Sequence, residues 1–392
     1  MLRVGLDASA AAVGKPTGVA VAIRSLARAL AALPREEELS LEVLYRLSRV
    51  KRRATFLPGA RLFHPRFSVL LARRLDVIHG PDARLPNLKG PALVATIHDL
   101  SVRKDARFAE ESFRATRARH WEDTARRADR IVVYTEAVKR DVASALSFPP
   151  ERIDVVPLAP SEELAPALGP GGSSPITPSE TRVARNERPV SSRGAPRSGR
   201  TEEDGLAQGD RCDEVLVLGE ISARKNTLGA LRAFERARET SEVARRSTLL
   251  IIGPDGHGAP ELHEAVRGKD HVRTTGWLPA AALREKLARS RALLFPSRSE
   301  GFGLPLLEAL RAGTPVVASR DAALVEVAGG AALHAEADDV EGLSAHLVSV
   351  LEGDTRDLVA RGRARAAEFT WERSARALAR VYRAARGSPC PA

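Results

Sequence analysis

Short apolar runs alternate with amphipathic stretches along this chain, and the whole alternation occurs twice, with a polar segment between the two sets. In the first set, strands are predicted over Arg3–Ala8, Leu41–Tyr45, Val77–His79, Leu93–His98, Ile131–Tyr134 and Ile153–Pro157. Apolar residues at helical spacing mark Gly18–Ala32, Arg107–Ala128 and Glu136–Leu146. In the second set, strands fall at Val215–Leu218, Leu249–Ile252, Val272–Gly276, Ala292–Phe295 and Pro315–Ala318. Helices fall near Leu228–Arg238, Ala280–Arg289 and Leu304–Ala312. Alternation of this kind specifies parallel, doubly wound α/β sheets, with ligands at the carboxyl ends of strands. The expected architecture is therefore two Rossmann-like domains facing across a cleft.

The length of 392 residues suits two cores rather than one. Residues 1–160 form the first expected domain and 210–370 the second. Residues 161–209 are rich in Pro, Gly, Ser, Arg and Glu and nearly lack large apolar side chains. Such a segment buries too little surface to offset its ordering entropy, so a flexible linker or insertion is expected. A last amphipathic helix, 371–386, could pack on either domain.

Charge and composition narrow the function classes. The net charge of +11 suits nucleic acid, an anionic membrane surface or phosphate-bearing ligands, although an arginine-rich solvated surface accounts for it equally well. Aromatic residues at 4% speak against base-stacking platforms, and no nucleic-acid module is recognisable. Two cysteines, Cys212 and Cys390, do not make a disulfide framework, and a reducing cytoplasm is expected. Asp7 interrupts an opening apolar stretch already too short for a signal peptide. No apolar run approaches the ~20 residues of a membrane span.

The richest segment runs from Phe295 through Ser297, Ser299, Glu300, Gly301, Phe302, Gly303 and Leu304 to Glu308. A strand ends at Phe295, a glycine-bearing turn follows, and a helix opens with Pro305 in its first turn. Gly313 and Pro315 stop that helix. Backbone N–H groups near Gly303 then point outward from a helix N-terminus, which suits a phosphate. Glu300 and Glu308 flank the turn, and carboxylates accept hydrogen bonds from sugar and ribose hydroxyls. The spacing of two glutamates alone carries no weight; the whole strand–turn–helix string does.

That string resembles the signature of the retaining family-4 glycosyltransferases, whose two Rossmann domains form the B-type fold. Leu218–Asn226, Val94–Leu100, Asp154–Pro157 and Ser319–Gly329 resemble further family segments in the same order, and only 161–209 has no counterpart. The resemblance implies that Glu308 binds the donor ribose and Glu300 touches the transferred sugar. The loop Gly301, Phe302, Gly303 and Leu304 would hold sugar hydroxyls and phosphate. Arg224 and Lys225 would neutralise the diphosphate, and His98 would line the cleft near the anomeric carbon. Gly18, at the start of the first helix, suits close approach to a donor phosphate or the acceptor. Asp99 reads as a turn or helix cap. Ala20 and Ala22 stand where relatives carry a glycine and an arginine, Thr135 replaces a common serine, and Leu158-Ala159 replaces a usual glycine. These departures leave donor binding intact and make the acceptor harder to read.

No Asp-X-Asp pair follows a strand, so no metal or other cofactor is expected and protein groups must meet the charge of the departing diphosphate. The implied activity is retaining transfer of a hexose from a nucleotide sugar to a glycan or lipid-linked acceptor in cell-surface polysaccharide or glycolipid synthesis. Mannose from GDP-mannose is the first expectation, because the His98-Asp99-Leu100 and Arg224-Lys225-Asn226 combination resembles mannosyltransferases. A non-catalytic nucleotide-sugar-binding relative of the same fold is the alternative. Arg46, Arg49, Lys51, Arg52 and Arg53 precede Phe56 and Leu57, and Arg73-Arg74 follow an apolar stretch around Phe67 to Leu71. This mix suggests peripheral contact with an anionic leaflet, against the plainer reading of a solvated face.

Overall fold

Two all-parallel sheets carry the molecule, and their central strands are too apolar to face water on either side. The structure, a computed structural model, describes residues 1–15, 17–63, 74–164 and 211–387. Among them the N-terminal sheet holds β1 (Leu2–Asp7), β2 (Leu39–Arg46), β3 (Arg61–Phe63), β4 (Val77–Gly80), β5 (Ala92–Thr96), β6 (Arg130–Val133) and β7 (Ile153–Val155). Its strand order is β3-β2-β1-β4-β5-β6-β7. The second sheet holds β8 (Cys212–Leu218), β9 (Thr248–Ile252), β10 (Val272–Thr274), β11 (Ser290–Phe295), β12 (Val316–Ser319) and β13 (Leu333–Ala335), in the order β10-β9-β8-β11-β12-β13. Both orders reverse beside the first strand of the sheet, between β1 and β4 and between β8 and β11. In doubly wound sheets such a reversal opens a crevice at the carboxyl ends.

Helices cover both sheets. The N-terminal set is α1 (Gly18–Ala31), α2 (Ser101–Lys104), α3 (Glu111–Arg127) and α4 (Glu136–Leu146). The C-terminal set is α5 (Thr227–Thr240), α6 (Glu242–Arg246), α7 (Ala259–Ala265), α8 (Ala280–Arg289), α9 (Leu304–Ala312), α10 (Ala322–Ala328), α11 (Val340–Glu352) and α12 (Arg356–Ala367). The helix expected from Arg107 begins instead at Glu111. Phe108 is buried and Ala109 is extended, so the chain breaks between a short 3-10 turn and α3. The edge strands β3 and β13 escape sequence reading because each has three residues and no apolar run.

The last helix, α13 (Trp371–Gly387), lies on the N-terminal sheet. Tyr382, fully buried, shares a 2.8 Å hydrogen bond with His79 of β4, whose other ring nitrogen lies 2.8 Å from Thr96 Oγ1 of β5. Burial holds the His79 ring neutral, down to a pKa of about 3. Arg376 and Arg383 both reach Glu37, at 2.9 and 2.6 Å. Trp371 donates to the Pro160 carbonyl at 3.0 Å, so the helix also pins the exit of the N-terminal domain.

The linker start needs correction. Ser161 is buried and Leu164 joins the core, where residues Glu162–Leu164 form a 3-10 turn against α8. Leu164 has a core to enter there, which composition could not show. The rest of 161–209 lies outside the described residues. No described helix is long and apolar enough to cross a membrane.

Candidate functional site

The crevice between β8 and β11 collects most of the singled-out residues. Leaving β8, the chain turns through Gly219 and Glu220 to Arg224 and Lys225. Leaving β11, it runs Pro296 to Gly303 and enters α9. Lys225 Nζ lies 2.5 Å from Glu300 Oε1, with the ammonium 5.0 Å above the Phe295 ring. Arg224 Nη1 lies 3.5 Å from Glu300 Oε2 and donates to the Ser299 carbonyl at 3.0 Å. All three side chains are largely buried: Glu300 is 8% exposed, Lys225 11% and Arg224 23%.

Burial disfavours all three charges, and mutual attraction opposes it. The Glu300 carboxyl is held below its usual range by the two cations against the cost of desolvation. Burial pushes the Lys225 ammonium down, and Glu300 pulls it back. Two cations thus share the Glu300 carboxylate, with Asp99 and Glu220 also within electrostatic reach of Arg224. A close buried pair of this kind is costly to break from one side.

Two glycines shape the loop between them. Gly303 caps α9 at φ 89°, a left-handed conformation, and a Cβ there would lie 2.4 Å from Leu324. A Cβ on Gly301 would lie 2.0 Å from the His98 carbonyl oxygen. Only a residue without a side chain lets the loop reach the N-terminal domain. Phe302 is buried there, edge-on to Tyr134 with centroids 6.3 Å apart. Leu304 opens α9 and is half-buried.

His98 faces this loop from the end of β5. Its ring lies 5.4 Å from Tyr134, and one nitrogen bonds the Pro81 carbonyl. Nε2 is buried without a hydrogen-bond partner among the described residues, as is Ser299 Oγ. Burial depresses the ring's pKa, so neutral His98 offers a free lone pair when Nδ1 carries the proton. Asp99 accepts from the Ser101 backbone N–H at 2.8 Å, the capping contact expected of it, and also feels Arg224 across the cleft.

Glu308 and Gly18 stand apart from this trio. Glu308 is buried and accepts the Ser161 backbone N–H, and burial raises its carboxyl to about 7. Arg311, one turn on, donates to the Ser161 carbonyl. In this conformation Glu308 therefore holds the start of the interdomain connection, a contact invisible in sequence. Gly18 is exposed at the first turn of α1, where Thr17 caps the helix, and a Cβ would meet nothing within 4 Å. No described neighbour demands a glycine at that position.

Sequence reasoning missed how the domains clasp. The Glu326 carboxylate accepts the Glu136 and Ala137 backbone N–H groups at 2.8 and 3.0 Å, capping α4 from the opposite domain. Thr135 Oγ1 donates to the Gly301 carbonyl at 3.3 Å and accepts from Val138 N–H. The threonine read as a departure from the common serine supplies the same hydroxyl. Asp321 caps α10, with its carboxyl raised to about 6 mainly by burial.

Residues 16–159 match Glycosyltransferase Family 4, and residues 212–353 match the family described as Glycosyl transferases group 1. Together the two matches span well over half of the chain, in the order the geometry requires.

The chain belongs to the family-4 glycosyltransferases.

This transferase is 28% identical to the O-antigen chain mannosyltransferase B of Escherichia coli over 83% of its own length and 79% of the relative's. It is 27% identical to the MMP α-(1→4)-mannosyltransferase of Mycolicibacterium hassiacum, over 83% and 75%. In fold it resembles the sucrose-phosphate synthase of Thermosynechococcus elongatus, with a TM-score of 0.70 over 98% and 99% of the two chains at 18% identity. The transferase therefore has the B-type fold, with mannosyltransferases among its relatives. Its basic N-terminal segment differs in part from expectation. Phe56 stacks on Tyr45 at 3.8 Å and Leu57 is buried, so both turn inward. Arg46 is paired with Asp7 at 2.8 Å. Leu47 and Val50 face outward instead, beside Lys51, Arg52 and Arg53. Residues Phe67 to Leu71 and Arg73 lie outside the described residues.

Proposed function

We propose that this transferase moves mannose from GDP-mannose to a glycan or lipid-linked acceptor with retention at the anomeric carbon, without a metal. The observation that carries the reading is the buried Arg224–Lys225–Glu300 cluster before α9, whose loop meets the His98 backbone at Gly301. The two mannosyltransferase relatives support the sugar. In this reading Lys225, Arg224 and the first N–H groups of α9 meet charge growing on the diphosphate as the C1–O bond breaks. Preorganised donors in a dry site supply the largest share of such stabilisation. The new C1–O bond forms on the same face, and the acceptor's hydroxyl proton passes to the departing phosphate. Glu300 orients the two cations and accepts sugar hydroxyls, Gly301 to Leu304 cradle the sugar, and Glu308 exchanges the Ser161 N–H for ribose hydroxyls. In this reading Gly18, exposed at the first turn of α1, leaves room for close approach of a donor phosphate or the acceptor. The outward set of Leu47, Val50, Lys51, Arg52 and Arg53 supports work at an anionic membrane surface, where each basic residue contributes about 1 kcal/mol.

A panel of UDP-, ADP- and GDP-hexoses, assayed for hydrolysis and transfer, tests the reading. Consumption of GDP-mannose with an α-linked product is expected. Binding without turnover of any donor would favour the non-catalytic alternative, and another preferred donor would overturn the mannose assignment.

A further inference from the structure

The donor site occupies the strand reversal of the C-terminal sheet, yet the N-terminal sheet has its own reversal between β1 and β4. Chemistry concentrates there too. Arg46, at the end of β2, lies 2.8 Å from Asp7 at the end of β1. Just past β4, Asp82 takes Arg117 of α3 at 3.1 Å and Arg84 at 3.8 Å. Arg24 of α1 reaches the Ala11 and Val13 carbonyls at 2.7 and 3.2 Å, while its Nε is buried without a partner among the described residues. His120, one turn beyond Arg117, is within electrostatic reach of Arg84, Arg117 and Arg46, and its Nδ1 is likewise buried and unpartnered. Arg46 is matched by Asp7 and Arg24 is held by backbone carbonyls, whereas Arg84 and Arg117 share the single carboxylate of Asp82, so one positive charge remains in excess there.

This excess is not a solvated arginine face. Arg117 and Arg46 are 16% and 26% exposed, and only Arg84, at 42%, reaches well into solvent. Partly buried guanidinium groups in surplus over carboxylates are arranged for an anion, and their planar forks match phosphate oxygens. The cluster also adjoins the reaction point, because Asp82 and Arg117 are both within electrostatic reach of the His98 ring. A donor diphosphate is already met by Arg224 and Lys225, so the anion here is a second one. We infer that the acceptor is phosphorylated, and that its phosphate or diphosphate is held by Arg84, Arg117 and His120 while its hydroxyl lies beside His98. The inference rests on the acceptor binding to the N-terminal domain.

Calorimetry on the full chain with mannose 6-phosphate and with mannose tests the inference, with GDP and UDP binding measured in parallel. The phosphorylated sugar should bind at least tenfold tighter than the neutral one. Arg84→Gln and Arg117→Gln should each erase most of that preference and leave nucleotide affinity as in the wild type. Arg84 is half-exposed, so its variant carries the test even where Arg117→Gln fails to fold. Equal affinity for the two sugars, or an unaltered preference in Arg84→Gln, overturns the inference. Absence of nucleotide binding in the wild type would strike the donor reading and leave the phosphate result intact. A second arm separates the sources, using phosphatidylcholine vesicles with and without a polyprenyl phosphate. Sedimentation only with the lipid phosphate, reversed by mannose 6-phosphate, identifies a lipid-linked phosphate. Binding of the free sugar phosphate without sedimentation identifies a soluble acceptor.

Discussion

Lys225 and Glu308 are both buried but have different partners. Lys225 keeps a carboxylate partner at 2.5 Å, whereas Glu308 has only the Ser161 N–H and Arg311 nearby. Lys225→Ala should lower turnover by about a hundredfold, the loss typical of one charge-stabilising donor. Lys225→Arg should restore only part, because a planar guanidinium cannot sit where the ammonium does. Excess EDTA should leave the rate unchanged; loss restored by magnesium or manganese would mean that a metal shares the task. Glu308→Ala should weaken nucleotide binding by about 1.5–3 kcal/mol, read by calorimetry, with the rate rescued by saturating donor. The Glu308 carboxyl also predicts a pH dependence. Its folded pKa, about 7, exceeds the ordinary 4.5, so folding retains a proton between those values. Stability of the donor-free protein is therefore lost as pH rises from about 4.5 through 7. Glu308→Gln cannot ionise, so its melting temperature relative to wild type should rise between about pH 5.5 and pH 8.5. A difference that stays flat across that range would contradict the burial argument.

At the scale of elements, the first turn of α4 joins the two domains. Its N–H groups are the usual unsatisfied donors of a helix start, and Glu326 from α10 fills two of them. The same turn holds the loop before α9 through Thr135 and Gly301. That loop and the domain contact thus share one helix end. Glu326→Ala should speed amide exchange at Glu136 and Ala137 and enlarge the scattering radius of the donor-free protein. Glu326→Gln should fall between, since an amide keeps one acceptor oxygen. Unchanged exchange in Glu326→Ala would show that the cap does not hold the domains. The terminal α13 belongs to the N-terminal core in the same energetic sense. Tyr382→Ala removes a buried ring and its bond to His79 and should cost about 3–5 kcal/mol in denaturant unfolding.

For the whole molecule, connection and surface charge make separate predictions. Replacing 165–209 by a shorter flexible linker should preserve much of the activity, provided Ser161 to Leu164 stay in place against α8 and α9. Extending the replacement back through Ser161 should reduce stability, measured by thermal melting, because a core residue and the Glu308 contact are then lost. Removal of Lys51, Arg52 and Arg53 should weaken sedimentation with anionic liposomes at low salt. Equal sedimentation of wild type and variant would refute the membrane role of that face.

Much of the fold is legible in the chain itself, because local periodicity encodes it. Buried parallel strands need an apolar run, so β1, β5, β8, β9 and β11 stand out, and Gly303, Pro305 and Gly313 mark α9 with little help from the rest of the chain. Arg224, Lys225, Glu300 and His98 can be singled out because each follows a strand end, where a doubly wound sheet opens its crevice. Their association is not encoded locally. Lys225 meets Glu300 across 75 positions, and Glu326 meets Glu136 across 190, distances at which only packing of whole domains chooses partners. Burial is the other quantity that periodicity leaves open. Phe56 turns inward beside Tyr45 and Val50 outward, though both are apolar residues near a basic run. The strand ends of β1, β2 and β4 likewise gather arginines that lie far apart in sequence. The sequence by itself determined the layers and where their crevices open; the tertiary structure alone decided which charges face each other, since desolvation and pairing act through space.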